Sequence, residues 1–178
     1  MGRFGPGRPP RKDYNLLNMN QKISILFVCM GNICRSPTAH GIFRKLIHEA
    51  GLADRVLIES AGTHAYHVGK PPDLRAQETA QRRGLDLSDL RARAATRRDL
   101  ERFDYVLVMD QENLQDLMAV APPGMAPKIR LLMEFAPDLR AREVPDPYYG
   151  GPSGFERVFD MVEAAAAGLL EHIRRTHF

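Results

Sequence analysis

Ile23-Ser-Ile-Leu-Phe-Val-Cys29-Met-Gly-Asn-Ile-Cys-Arg35-Ser-Pro-Thr-Ala39 is the stretch on which the reading of this 178-residue chain turns. Its first part, Ile23 to Val28, is continuously apolar, as a strand buried on both faces of a parallel sheet must be. After it Ala39, Ile42, Phe43, Leu46, Ile47 and Ala50 recur at helical spacing, with Gly51 placed to stop the helix. Between strand and helix stand a thiol, Cys29, then five residues, then Arg35. That junction is where an α/β sheet binds anions, because unpaired N–H groups and the positive end of the helix dipole converge there. Ser36 is the expected N-cap, and Pro37 suits the first helical position, where its missing N–H costs nothing.

Outward from this stretch the pattern repeats. Val56–Gly62, Tyr105–Met109 and Lys128–Leu132 read as further strands. Asp73–Arg83 and Thr96–Arg102 read as helices, as does a segment capped by Asp110 with Leu114, Leu117 and Met118 on its apolar face. A last helix carries Phe155, Val158, Phe159, Val162, Ala166, Leu169, Leu170 and Ile173 on one side. Leu85–Ala95 and Ala136–Gly154 show little periodicity. The expected fold is α/β, a three-layer αβα arrangement with a central four-stranded parallel sheet and a phosphate-binding loop after strand 1. Residues 1–21, rich in Gly, Pro and Arg, are expected to be a disordered extension, and 22–178 one domain.

Composition narrows the function classes. Hydrophobic residues at 44% and charged residues at 26% give an ordinary globular balance rather than a disordered one. A net charge of +3 is compatible with an anionic substrate, and no nucleic-acid motif accompanies it. The two cysteines, Cys29 and Cys34, share one loop, so a disulfide scaffold is excluded and no zinc set is clustered nearby. Free thiols in a proposed site point to a reducing, cytoplasmic compartment. No apolar run reaches the length of a membrane span, and the start lacks the apolar centre of a secretory signal.

The loop's chemistry follows from phosphate itself. A phosphoryl group spreads charge over three oxygens, and successive N–H groups from Met30, Gly31, Asn32, Ile33, Cys34 and Arg35 can meet them if the loop curls into a nest. Arg35 adds a planar fork that holds two oxygens at once. The same field would hold Cys29 as a thiolate, below the free value of ~8.5, able to attack phosphorus and form a phosphocysteine. Cys29 as inert core and Arg35 as plain surface is the alternative, and the strand-to-helix placement decides against it.

The run Cys29 to Ala39 resembles the signature of the low-molecular-weight protein tyrosine phosphatases. Glu59-Ser-Ala-Gly62, Gly69-Lys-Pro-Pro-Asp73, Phe103 to Asp110 and Asp146-Pro-Tyr-Tyr149 add to the likeness, which extends over about residues 22–176. The resemblance implies a phosphatase acting on phosphotyrosine proteins or small aryl phosphates. It would release inorganic phosphate, with no cofactor, metal, nucleic acid or membrane involved. Cys29 would be the nucleophile, Arg35 the clamp on the phosphoryl oxygens, and Asp146 the general acid and then base. Ser36 would donate to the thiolate, while Asn32 and Ser60 would support the loop by hydrogen bonds. Tyr66, Tyr148 and Tyr149 would line an aromatic cleft, and Cys34 could pair reversibly with Cys29. Ile33 favours tyrosine over phosphoarginine, since phosphoarginine phosphatases of this fold tend to carry Thr there. Leu90 departs from the family, many members of which carry a loop-supporting His at that place. His40 and His67 also depart, and His64 with His67 reads as a pair of surface histidines rather than a metal site. Phosphoarginine hydrolysis, arsenate reduction on the same fold, and phosphate binding without turnover are the rival readings.

Overall fold

In the computed structural model the described residues are 21–151 and 153–178. The extension expected over 1–21 lies outside them but for Gln21, which carries no regular structure. Four strands form the sheet: β1 (Ile23–Cys29), β2 (Val56–Gly62), β3 (Tyr105–Val108) and β4 (Ile129–Leu131). All neighbours are parallel, in the order β2-β1-β3-β4. Five α-helices connect and flank them: α1 (Arg35–Glu49), α2 (Leu74–Arg82), α3 (Arg97–Arg102), α4 (Gln111–Val120) and α5 (Ser153–His177).

Strand alternation sorts the core into two layers. Ile25, Phe27, Cys29, Leu107 and Met109 face α1 and α5, where Phe43, Ile47, Val158, Val162 and Leu169 close the packing. Leu26, Val28, Val106 and Val108 face the other way, onto Leu100, Phe103 and Leu117 of the α3 and α4 side. β1 is buried along both faces, which is why its sequence shows no polar alternation beyond Ser24.

Three helix starts use side-chain caps, as the sequence pattern predicts. Asp73 accepts from the Arg75 N–H, Thr96 and Asp99 form a reciprocal capping box, and Asp110 accepts from the Asn113 N–H. The start of α1 differs from expectation. Cys34 occupies its N-cap position without a side-chain cap, so Ser36 and Pro37 fall at the second and third helical residues. The loop's last turn already winds helically, and the Thr38 hydroxyl donates to the Cys34 carbonyl at 2.7 Å. Pro37 remains harmless there because the first four helical N–H groups have no partner within the helix. In α4, Met118 points outward instead of inward, and the buried positions are Asn113 and Leu117. Three single-turn 3₁₀ segments, Ala126–Lys128, Leu132–Phe135 and Pro137–Leu139, flank β4.

Gly62 fixes how the sheet meets the loop. A Cβ there would lie 2.6 Å from the Met30 carbonyl oxygen, so only glycine lets the end of β2 run this close to the loop backbone. Beyond β1 and β2, Gly62 also pairs with the segment around Ala94, its N–H donating to the Arg93 carbonyl at 2.8 Å.

Candidate active site

The loop Cys29–Ser36 leaves the C-terminal end of β1, an interior strand of the parallel sheet, and runs directly into α1. Its curl depends on Asn32, whose φ of 57° is a left-handed conformation that few non-glycine residues adopt. Two contacts hold that conformation. The Asn32 side-chain amide donates to Ser36 Oγ at 2.7 Å, and its Oδ1 accepts the Arg93 backbone N–H at 3.0 Å.

Ser36 Oγ lies 3.1 Å from Cys29 Sγ, and both side chains are buried. Because Asn32 already donates to Ser36, the hydroxyl proton is free to face either the sulfur or the Ala61 carbonyl, which is farther at 3.4 Å. A thiolate at Cys29 takes that proton as a charge-assisted hydrogen bond.

Arg35 is 2% exposed, yet it is charged and triply engaged. One terminal nitrogen meets Asp110 Oδ2 at 2.5 Å and the Val144 carbonyl at 3.1 Å, while the other faces Asp146 Oδ2 at 3.7 Å. Burial works against its charge, but the Cys29 sulfur and the Asp110 carboxylate override that cost and raise its pKa above the ordinary guanidinium value. Asp110 therefore serves two ends: Oδ1 caps α4 and Oδ2 fixes Arg35. The sequence pattern shows only the first role.

Asp146 stands across the cleft on the Pro145-Asp-Pro147 segment, exposed, with Oδ1 accepting the Tyr148 N–H at 3.0 Å. Its other oxygen is left facing Arg35 and the loop.

Around them lies a cleft of about 300 Å³, lined by Cys29, Met30, Gly31, Ile33, Cys34 and Arg35 below and by Tyr66, His67, Asp146, Tyr148 and Tyr149 above. Tyr148 meets Tyr149 edge to face at 4.9 Å, and Tyr66 stacks on His64 at 5.2 Å. Tyr66 and Tyr149 are 74% and 92% exposed, so the aromatic residues form an open rim rather than a closed slot. His67, read from the sequence as a surface histidine, sits at this mouth, its ring 6.4 Å from that of Tyr148. Among the described residues no three His, Cys, Asp or Glu side chains are grouped to hold a metal. None of the described helices is long and apolar enough to cross a membrane.

One expectation about support is revised. Ser60 does not reach Asn32; its hydroxyl meets His40 Nδ1 at 3.1 Å, one layer away from the loop. Burial and the nearby Arg44 guanidinium push the His40 pKa down to about 4, so the ring is neutral. Leu90 is a buried core residue, and the loop's outer support comes instead from the Arg93 main chain. Cys34 is buried beside the cleft, and burial, with Asp73 and Cys29 nearby, pushes its thiol pKa up, so it stays protonated.

The family model for low molecular weight phosphotyrosine protein phosphatases matches residues 24–177. The low molecular weight phosphotyrosine protein phosphatase of Schizosaccharomyces pombe is 44% identical over 138 residues, covering 77% of this chain and 88% of its own. A protein tyrosine phosphatase of Entamoeba histolytica, solved with Hepes in its active site, superposes with a TM-score of 0.84 at 36% identity, covering 88% of this chain and 100% of that one. A drosophila arginine phosphatase superposes at 0.78 with 31% identity, over 84% of this chain and 97% of that one. The chain belongs to the low molecular weight phosphotyrosine protein phosphatase family.

Proposed function

We propose that the protein hydrolyses phosphotyrosine and related aryl phosphate monoesters through a phosphocysteine on Cys29. One observation carries this reading. A buried thiol with a hydroxyl 3.1 Å away shares its cleft with a buried arginine fork, and that fork faces a carboxylate on the opposite wall. In the first step the Cys29 thiolate attacks phosphorus in line. The bond from phosphorus to the aryl oxygen breaks, and that oxygen takes the proton carried by Asp146. Arg35 and the loop N–H groups bind the phosphoryl oxygens as their charge shifts. In the second step Asp146, now a carboxylate, takes a proton from water as the water oxygen attacks phosphorus. The thiolate leaves with its electron pair, stabilised by Ser36, and inorganic phosphate is released. Nucleophile, clamp and acid are all side chains of this chain, so the scheme calls for no cofactor.

Tyr148, Tyr149 and Tyr66 would hold the ring of a phosphotyrosine side chain. Ile33, apolar and packed beside Cys34, Ala76 and Phe155, favours an aryl group over a guanidinium at the cleft floor. Phosphotyrosine-bearing proteins are the proposed partners and the cytoplasm the proposed setting, where reducing conditions keep Cys29 and Cys34 as thiols. Arsenate reduction by a disulfide relay would need cysteines beyond these two.

Cys29→Ser is expected to abolish turnover of 4-nitrophenyl phosphate while inorganic phosphate still binds, because the nest and Arg35 remain. Turnover near the unmodified rate would remove Cys29 from the role. Faster release from phosphoarginine than from phosphotyrosine peptides would transfer the assignment to guanidino phosphates, and a single stoichiometric release would make this a binding module.

A further inference from the structure

Asp146 can act only if its turn is held at a fixed distance from the loop, and that turn is a surface segment between two prolines. Its anchorage runs through two residues at the start of α2. The Asp73 backbone N–H donates to the Ile33 carbonyl at 2.8 Å, fixing α2 to the phosphate loop itself. The Asp73 carboxylate then holds Arg75 at both oxygens, from Nε at 3.0 Å and from a terminal nitrogen at 2.9 Å. The remaining terminal nitrogen of Arg75 donates to the Tyr148 carbonyl at 3.1 Å.

The Arg75 guanidinium also lies 5.3 Å from the Tyr148 ring centre and 4.7 Å from that of Phe155, at the start of α5. Tyr148 is thus gripped twice: its N–H by Asp146 and its carbonyl by Arg75. A planar fork with a spare donor suits this task, whereas a lysine ammonium could not span the carboxylate and the carbonyl in one fixed geometry. Arg75's hydrogen bond is the largest influence on Asp73 and keeps that carboxyl below its ordinary range, so the pair stays charged at working pH. Arg75 is 43% exposed, so the pair adds little to global stability and its effect is positional.

We propose that Arg75, braced by Asp73, is the positioning residue that fixes the Asp146 turn over the phosphate loop. This rests on the reading of Asp146 as general acid. Arg75 touches neither the sulfur nor the phosphoryl pocket, so its loss alters proton delivery and leaves phosphate binding in place.

The test measures kcat/KM for a series of aryl phosphates with leaving groups from phenol to 4-nitrophenol, in unmodified protein, R75A, R75K, D146A and the R75A/D146A double variant. R75A is expected to lose about tenfold on phenyl phosphate and less than about twofold on 4-nitrophenyl phosphate, a part of the general-acid contribution. R75K is expected to fall between R75A and the unmodified protein. The inhibition constant of inorganic phosphate is expected to stay within about twofold in R75A, since the loop donors and Arg35 are untouched. In the D146A background R75A is expected to cost nothing more. An equal loss across all leaving groups, a further loss on top of D146A, or no loss at all would overturn the proposal. A flat leaving-group dependence in D146A alone would instead overturn the general-acid reading on which it rests.

Discussion

Ser36→Ala removes a single oxygen, but that oxygen sits between two buried groups, and the two losses can be read separately. Toward Cys29 it removes the hydroxyl 3.1 Å from the sulfur. A hydrogen bond to a charged group contributes about 1.5–3 kcal/mol, so the departing thiolate in phosphocysteine hydrolysis loses roughly ten- to hundredfold in rate. Toward Asn32 it leaves a buried amide that had donated at 2.7 Å without that acceptor. An orphaned buried donor costs about 1–3 kcal/mol of folding stability. The expected outcome has two parts. In rapid-mixing experiments with 4-nitrophenyl phosphate the variant should show a burst of nitrophenol followed by slow turnover, as the phosphoenzyme accumulates. In urea unfolding its midpoint should fall. Asn32→Ala serves as the comparison, because it also breaks the amide–hydroxyl bond yet keeps the hydroxyl beside the sulfur. Unchanged phosphoenzyme hydrolysis in Ser36→Ala, with a lowered urea midpoint, would refute the thiolate role and leave Ser36 only a structural one.

Two further outcomes follow from packing and charge. His40 is neutral in the fold, with a pKa down at about 4, and would protonate near 6.5 in the unfolded chain. The unfolded state therefore binds more protons between those values, and stability falls as pH drops through that window, by up to about 3 kcal/mol from this group. His40→Gln, measured by urea unfolding at pH 7 and pH 5, should flatten that slope; an unchanged slope would mean His40 is not its source. Gly62→Ala would set a methyl 2.6 Å from the Met30 carbonyl oxygen, a backbone atom that cannot swing aside as a flexible side chain would. The strain should cost about 1–3 kcal/mol and weaken inhibition by inorganic phosphate, because the loop must shift to make room. A variant as stable and as phosphate-sensitive as the unmodified protein would show that the loop has slack there.

Much of this was legible in the sequence, for identifiable reasons. β1 announces itself because both of its faces are buried, and Cys29 and Arg35 flank a junction whose physics favours anions. The caps Asp73, Thr96 and Asp110 follow local rules that need no tertiary knowledge. Ser36 misled for an equally local reason: its type suits an N-cap, but it is taken up by Asn32 and Cys29 two residues further in. The second oxygen of Asp110, the Ser60–His40 pair and the Arg93 donation all join residues distant in the chain, and none follows a periodicity. The rim was also harder to read. Tyr66, Tyr148 and Tyr149 are recognisable as aromatic residues, but their exposure depends on loops without a repeating pattern.

The Arg93 contact bears on how this protein can vary. Asn32 leans on a main-chain N–H, which every residue except proline supplies. A loop supported by a side chain is hostage to one codon, whereas here the donor atom itself does not depend on the identity of the side chain at that position. The apolar Leu90 next door sits in the hydrophobic core at no cost to that donor. The Arg93 side chain is meanwhile committed elsewhere, to Asp99 and Glu59 at 2.8 Å each, so the residue ties the loop to α3 and β2 through two separate parts of itself.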